Sequence, residues 1–226
     1  MQLEIAAGTR YQTKQELVYR TLREAIMRCQ LQPGQRLVIE EIASQLAVSP
    51  IPVREALHIL QSERLVETTP HVGATVARIS RESVAEVFTV MEGLELVATR
   101  CAAQRMTEAD GEELARVLDS MDQALAEGAA ERWADLNAQF HRQITSIAGM
   151  PMLQEMTERA IAHWDRLRRF FFAGVLAHRM EQAQRDHRDI LAAMRAQDYA
   201  PLEELVKRHN REALAAYNQY LNHVTD

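Results

Sequence analysis

Cysteine is scarce in this sequence, which holds only Cys29 and Cys101. Neither belongs to a CxxC pair, so the sequence offers no redox pair, no local Cys/His metal motif and no activated thiol nucleophile. Both fall on the apolar side of a helical pattern, and free cysteines are usually buried. We therefore expect two buried thiols.

Long apolar runs are absent as well. Apolar residues make up 47% of the chain, yet no uninterrupted stretch approaches the roughly 20 residues that span a bilayer. Residues 1–10 lack the basic start and the apolar run of a signal peptide. These absences lead us to expect a cytoplasmic protein without a membrane partner.

The chain also lacks an excess of positive charge. Its net charge is −6, which argues against a uniformly basic protein that coats nucleic acid. The acidity is uneven, because residues 1–78 contain nine Lys and Arg against eight Asp and Glu, whereas residues 79–226 contain seventeen against twenty-four. This distribution permits a DNA contact in the first part and disfavours one in the second.

The first part combines short helices with two short strands. Apolar periodicity and turn residues predict helices over 13–30, 39–46 and 49–62, followed by strands over 66–69 and 74–77. Ser49 is a suitable N-cap for the third helix, and Pro50 suits its first turn. The pattern predicts a winged helix-turn-helix over residues 1–78.

Residues 79–226 show helical periodicity throughout. Helices are predicted near 80–106, 108–127, 130–149, 151–173, 178–197 and 200–223. We therefore expect a mainly α protein, in which the winged helix-turn-helix of three helices and a β-hairpin is followed by an all-α bundle of six or seven helices over 79–226.

The third helix carries residue types that read DNA. Once its apolar stripe faces inward, Arg54, His58 and Gln61 lie together on the opposite side. Residues near the N-terminus of such a helix reach base edges in the major groove, where an arginine donates two hydrogen bonds to guanine. From the stripe alone, a solvated face on an ordinary helical hairpin explains the pattern equally well.

Three segments together resemble the GntR family of transcription regulators: Leu31 to Leu37 with its Pro-Gly turn, Leu46 to Leu57 with its Val-Arg-Glu-Ala-Leu run, and Gly73 to Val76. The resemblance covers about residues 12–78 and implies a homodimer that binds a palindromic operator in double-stranded DNA. Pro50 replaces the family's usual arginine, and the usually basic wing is His71-Val72-Gly73. The implied DNA contacts are Lys14, Arg36, Ser49, Ile51, Arg54, His58, His71 and Gly73, and Arg20, Arg23 and Arg64 are further phosphate candidates.

Histidines in the second part fall at spacings that suit a metal. Asn137 and His141 are four residues apart on one helix face, while His187 and His209 lie in the last two helices, which we expect to be antiparallel neighbours. Three imidazoles and an amide oxygen suit Zn²⁺ or Ni²⁺ with open positions for a ligand. By spacing alone, surface or ordinary core histidines remain the alternative.

Residues 80–223 resemble the FCD effector domain of the FadR subfamily. The resemblance implies a central cavity lined by Asn137, His141, His187 and His209, with Asn137 where many relatives have an aspartate. Met91 stands where several relatives carry an arginine that pairs with the effector's carboxylate, and Arg100 is another candidate for that role. The charged run Arg166-Leu167-Arg168-Arg169 is interpreted as a solvated face.

Together these observations predict a transcription regulator, with no enzyme activity, whose operator affinity is controlled by a small carboxylic acid, with a repressor favoured. Two alternatives remain open at this point. One is a winged-helix adaptor that binds protein and not DNA, and the other is a metalloenzyme built on the histidines, for which no general base can be named.

Overall fold

The computed structural model describes residues 13–69 and 73–224, with side chains for all of these except 172–178, 223 and 224. Contacts divide the chain into two compact units, the first ending at Ser80 and the second beginning at Arg81. Each unit has its own apolar interior. The order of elements in the first unit is α1 (Lys14–Met27), β1 (Arg36–Leu37), α2 (Ile39–Gln45), α3 (Pro50–Ser62), β2 (Val66–Thr69) and β3 (Gly73–Val76).

The first unit packs three helices against a small antiparallel sheet with strand order β1, β3, β2. Its register pairs Arg36 with Thr75 and Val66 with Val76. The apolar stripes predicted from the sequence meet in one core, which includes Val18, Leu22, Ile26, Ile42, Val53, Leu57 and Leu60. The winged helix-turn-helix is confirmed, and the sheet has one strand more than the predicted hairpin, namely β1.

The second unit is entirely helical in the residues that the structure describes. Its elements are α4 (Arg81–Arg105), α5 (Glu108–Ala126), α6 (Ala130–Ala148), α7 (Pro151–Phe170), α8 (Phe172–Ala196) and α9 (Tyr199–Val224). The mainly α fold class is therefore confirmed. The sequence predicted that the helix now numbered α8 begins at 178, whereas it begins at Phe172, with Phe171 alone separating it from α7.

Two helix ends in the second unit follow directly from local sequence. Thr107 caps α5, because its hydroxyl accepts from the Asp110 amide at 3.2 Å and the Asp110 carboxylate accepts from the Thr107 amide at 2.9 Å. Gly149 ends α6 with φ of 64°, in the left-handed region where a residue without Cβ is unstrained.

The prediction of two buried thiols is wrong. Cys29 and Cys101 are both half-buried, and neither is in a disulfide. Cys29 lies just beyond the end of α1 with φ of 55°, so it does not continue the helix on whose apolar side the sequence placed it.

Candidate functional sites

The outer side of α3 carries exposed residues that the sequence assigned to DNA. Its inner side is buried through Pro52, Val53, Ala56, Leu57 and Leu60. This leaves Ile51, Arg54 and His58 exposed, at positions three and four residues apart, and the Ile51 residue is 66% exposed. Ser49 is the exposed N-cap, and its side chain makes no capping hydrogen bond. The hydroxyl at the tip of α3 is therefore not used for capping.

Ion pairs sort the basic residues of the first unit into two groups. Arg20 lies 2.8 Å from Glu16, and Arg23 lies 3.0 Å from Glu63, so these two phosphate candidates are already neutralised. The second group consists of exposed residues that form no ion pair within residues 13–69 and 73–224, namely Lys14, Arg36 and Arg54. The second group holds the basic residues that the family resemblance implies as DNA contacts.

The wing is described on both sides of its tip. Gly73 begins β3 opposite Thr69, its φ is 94°, and among the described residues beyond its chain neighbours no atom lies within 4 Å of where a Cβ would be. Backbone in this conformation favours glycine, so Gly73 is fitted to the turn. His71, the other wing residue assigned to DNA, lies outside the described residues.

In the second unit, three histidines from three helices converge. His141 of α6, His187 of α8 and His209 of α9 each offer a nitrogen, and these nitrogens lie within 4.8 Å of one another. All three side chains are buried. Asn137, one turn before His141 on α6, is buried and lines the same cavity as His141 and His209. The structure thus brings together the four residues that spacing and resemblance selected.

Glu95 of α4 is a member of this cluster that the sequence reasoning missed. Its Oε1 lies 3.0 Å from His141 Nδ1, and its Oε2 accepts a hydrogen bond of 2.7 Å from the Asn210 amide. Burial opposes its ionisation, yet contact with His141, His209 and Asn210 lowers the pKa of Glu95 to about 2. A carboxylate at Nδ1 holds the proton there and leaves His141 Nε2 as an acceptor.

Asp186 plays a similar part beside His209. Its Oδ2 lies 3.4 Å from His209 Nδ1, while its Oδ1 accepts from Gln182 and Arg208, each at 3.0 Å. Although burial raises it, the pKa of Asp186 is lowered to about 2 by these neighbours. A charged carboxylate therefore lies beside Nδ1 of His209.

His187 lies at the centre of the cluster without a hydrogen bond. Neither of its ring nitrogens has a partner among the described residues, although the side chain is completely buried. Burial, reinforced by His209, His141 and Arg179, holds the pKa of His187 well below its ordinary 6.5. The imidazole is therefore neutral and has a lone pair available, and an unpaired buried polar group of this kind points to a ligand.

A cavity of about 50 Å³ adjoins the histidines. Its lining is largely aromatic and apolar, and includes Phe88, Met91, Trp133, Trp164, Met180 and Tyr217. Met91 thus lies where the family resemblance placed it. Arg100 does not reach the cavity, since it is an exposed residue that pairs with Glu203 at 3.0 Å and stacks over the Tyr199 ring.

The interpretation of residues 166–169 as a solvated face is wrong. Arg166 and Arg168 are 5% and 0% exposed. Arg168 is held by carboxylates of α6 and α7, because it donates to Glu131 at 2.9 Å, to Asp135 at 3.1 Å and to Asp165 at 2.8 Å. The density of charge along this segment predicted a solvated surface. The carboxylates of Glu131 and Asp135, which are distant in sequence, allow Arg168 to be buried.

A winged helix-turn-helix whose third helix has an exposed outer side, joined to a helical unit that contains a cavity, defines the class of two-domain transcription regulators. Residues 14–76 match the family described as bacterial regulatory proteins, gntR family, and residues 86–212 match the FCD domain. The chain belongs to the GntR-type regulators with an FCD domain, and it is a regulator and not an enzyme.

Named relatives agree with this assignment. The chain is 29% identical over 202 residues to the HTH-type transcriptional repressor RspR of Escherichia coli K12, covering 89% of this chain and 88% of that protein. It is 30% identical over 197 residues to the HTH-type transcriptional repressor GlaR of the same strain, covering 84% and 90%.

Solved structures share the fold over nearly the whole chain. The structure of E. coli McbR/YncC matches with a TM-score of 0.71 and 26% identity, covering 93% of this chain and all of that one. A GntR regulator from Rhodococcus sp. RHA1 matches with a TM-score of 0.69. No helix within the described residues is long and apolar enough to cross a membrane.

Proposed function

We propose that this protein is a FadR-subfamily repressor whose affinity for a palindromic operator is controlled by a small carboxylic acid bound in the second unit through a divalent cation. The observation that carries the proposal is the convergence of His141, His187 and His209, with His187 buried, neutral and unpaired. Such a cluster costs stability unless a ligand satisfies it.

The donor set fits a cation such as Zn²⁺ or Ni²⁺. The three imidazoles and the Asn137 amide supply neutral nitrogen and oxygen ligands, and Glu95 and Asp186 support His141 and His209 from behind. Nitrogens bound tetrahedrally to Zn²⁺ lie about 3.4 Å apart, so small ring rotations within the 4.8 Å limit suffice. When bound, the cation supplies positive charge and open positions for carboxylate oxygens.

Metal binding is tested by elemental analysis and by thermal melting with added Zn²⁺. Any ligand that binds only the native state raises its melting temperature, and we expect this for the wild type. His187→Ala should lose both the bound metal and the shift. His163→Ala is the matched control, since His163 of α7 is not part of the cluster, and it should keep both. A wild type that neither holds nor responds to Zn²⁺ or Ni²⁺ would refute the metal site.

The proposal for DNA rests on α3. A dimer would place two such helices about 34 Å apart on successive major-groove faces, and Arg54 would donate to a guanine on each half-site. The exposed Ile51 is suited to an apolar contact with a thymine methyl group. We expect light scattering to give the mass of a dimer and the dimer to retard DNA carrying the promoter of its own operon.

Control by an acid follows from linkage. If the acid binds one arrangement of the dimer more tightly, it changes operator affinity, and the operator changes affinity for the acid by the same factor. For a repressor, the acid should weaken operator binding and raise expression from a reporter under that promoter. Unaltered mobility of the promoter DNA with pure dimer at low salt would overturn the regulatory proposal as a whole.

A further inference from the structure

Two uncharged hydrogen-bond donors in the cavity are buried and have no partner within the part of the chain that the structure describes. They are the indole nitrogen of Trp133 and the hydroxyl of Tyr217, and their residues are 2% and 4% exposed. Burial raises the pKa of Tyr217, so its hydroxyl keeps its proton and remains a donor. Buried donors without partners are costly, and in a cavity they indicate an acceptor on the bound molecule.

Helix spacing separates each donor from the histidine of its own helix. On α6, Trp133 lies two turns before His141, and on α9, Tyr217 lies eight residues after His209, about 12 Å along the helix. The Trp133 ring is 6.2 Å from the ring of His187, and the Tyr217 ring is 5.2 Å from that of Phe88. Trp133 therefore lies beside the histidine cluster, whereas Tyr217 lies beside Phe88 and is separated from His209 along α9.

The arginines near the cavity are paired with carboxylates and bring no unbalanced positive charge to it. Arg179 donates through Nη1 to Glu212 at 2.7 Å, and through Nη2 to the His209 carbonyl at 2.7 Å and to Asp186 at 3.4 Å. Arg168 is matched by three carboxylates. The Nε of Arg179 is a further buried donor without a partner among the described residues, but the charge of Arg179 is already matched by Glu212 and Asp186. A second carboxylate bound beside Tyr217 would therefore be buried without an unmatched cation, which is unfavourable.

We propose that the effector is a small monocarboxylate that carries a neutral oxygen acceptor, such as a ketone, and that Trp133 and Tyr217 donate hydrogen bonds to its oxygens, with Tyr217 donating to the neutral acceptor. This inference rests on the proposed function, in which the carboxylate lies at the histidine cluster. The cavity of about 50 Å³ has room for roughly three to five water-sized volumes, so the body of the acid is a short carbon chain.

Three acids of equal chain length test the inference: pentanoate, 4-oxopentanoate and pentanedioate. Their dissociation constants are measured by calorimetry on the Zn²⁺-supplemented full-length protein. Wild type should bind 4-oxopentanoate about tenfold more tightly than pentanoate, which offers no second acceptor, and should bind pentanedioate more weakly than 4-oxopentanoate.

Tyr217→Phe removes the hydroxyl and keeps the ring. It should weaken 4-oxopentanoate about three- to tenfold and leave pentanoate unchanged, because only the ketone loses a partner. Tyr220→Phe is the matched control, since Tyr220 lies on the same helix and contacts Phe171 but does not line the cavity, and it should change neither constant. Circular dichroism and Zn²⁺ content confirm that each variant is folded and loaded.

The possible outcomes distinguish failure of this inference from failure of the proposed function. If pentanoate equals 4-oxopentanoate on wild type, if pentanedioate binds best, or if Tyr217→Phe weakens all three acids alike, the inference is overturned and the acid-responsive regulator stands. If none of the three acids binds, both the inference and the proposed carboxylate effector fail.

Discussion

Arg54 differs from the ion-paired arginines of the first unit, Arg20, Arg23 and Arg28, in its electrostatic setting. It is exposed on α3 and forms no ion pair within the described ranges, whereas Arg28 of the same unit is paired with Glu24 at 2.7 Å. A guanidinium without a carboxylate partner gives up little when it binds a base. This setting makes Arg54 the residue on which DNA specificity should depend most.

Substitution Arg54→Ala should therefore reduce discrimination between the operator and a scrambled sequence by about 1–3 kcal/mol. Fluorescence anisotropy with both duplexes at one salt concentration measures this difference. Arg28→Ala removes the same charge from an arginine that is already neutralised, so its discrimination should match the wild type. Equal losses for the two variants would show that Arg54 acts only through net charge.

Glu95 could have been recognised from the sequence alone as a buried polar residue that needs a partner. The apolar stripe of α4 passes through Phe88 and Met91, and a helical period continues it to Glu95 and then Ala98. A carboxylate on a buried stripe demands a partner, which is a detectable signal. The identity of that partner could not be predicted, because His141 and Asn210 belong to helices that are distant in sequence.

At the scale of elements, the helices with strong apolar periodicity were predicted within a few residues, and two features were missed. Strand β1 has only two residues and is defined by pairing with β3, so it has no periodicity of its own. The start of α8 was placed too late because the sequence around Phe171 has no capping residue or proline to mark the break. The position of β1 and the start of α8 both depend on contacts or breaks that the residues of the segment itself do not indicate.

Helix caps give a prediction at the same scale. Thr107→Ala should lower the free energy of unfolding of the second unit by about 1 kcal/mol, or its melting temperature by about 3 °C, because the α5 capping box is lost. Ser49→Ala should have almost no effect on stability, since Ser49 makes no side-chain capping bond. Calorimetric melting of both variants decides this, and a larger loss for Ser49→Ala would contradict it.

For the whole molecule, the buried carboxylates set the response of the metal-free protein to acid. Glu95 has a pKa of about 2 in the folded chain against an ordinary 4.5, so its contribution to stability is complete above about 4.5 and is lost as the pH falls towards about 2. Asp186 acts in the same direction below its ordinary 3.8. His187, kept neutral by burial, adds a loss that begins as the pH falls below 6.5.

We therefore expect the urea midpoint of the metal-free protein to fall steadily between pH 7 and pH 3. Glu95→Gln should be less stable than the wild type at pH 7 and should show a shallower decline below pH 4.5, because the group that takes up the proton is gone. Arg116 variants would be uninformative, since Arg116 is fully exposed. A midpoint that rises on acidification would contradict the assigned protonation states.

Salt dependence gives a second test for the whole molecule. Lys14 is exposed and forms no ion pair with any described residue, so Lys14→Ala should weaken binding to all duplexes alike and reduce the salt slope of log affinity by about one per protomer. Titrations between low and moderate salt measure the slope. An unchanged slope would show that Lys14 does not contact a phosphate.

The organisation into two domains could be predicted from the sequence, because the family motifs fall within the first 78 residues and the predicted ligands fall in the remainder. The chemistry behind those ligands was not visible, since Glu95, Asp186 and the donors Trp133 and Tyr217 acquire meaning only from neighbours that the bundle supplies. Sequence spacing selected histidines that converge in the bundle, and packing determined the carboxylates and donors around them.

The carboxylate of Glu95 also joins α4 to the histidine cluster. The chain leaves the winged unit at Ser80 and enters α4 at Arg81, and fourteen residues later the same helix touches His141 and, through Asn210, α9. A continuous helix of about 21 Å thus runs from the covalent exit of the DNA-binding unit to the support of a ligand histidine. In the regulator that we propose, occupancy of the cavity would therefore act on the same helix that follows the winged unit in the chain, without transmission through a loop of the bundle.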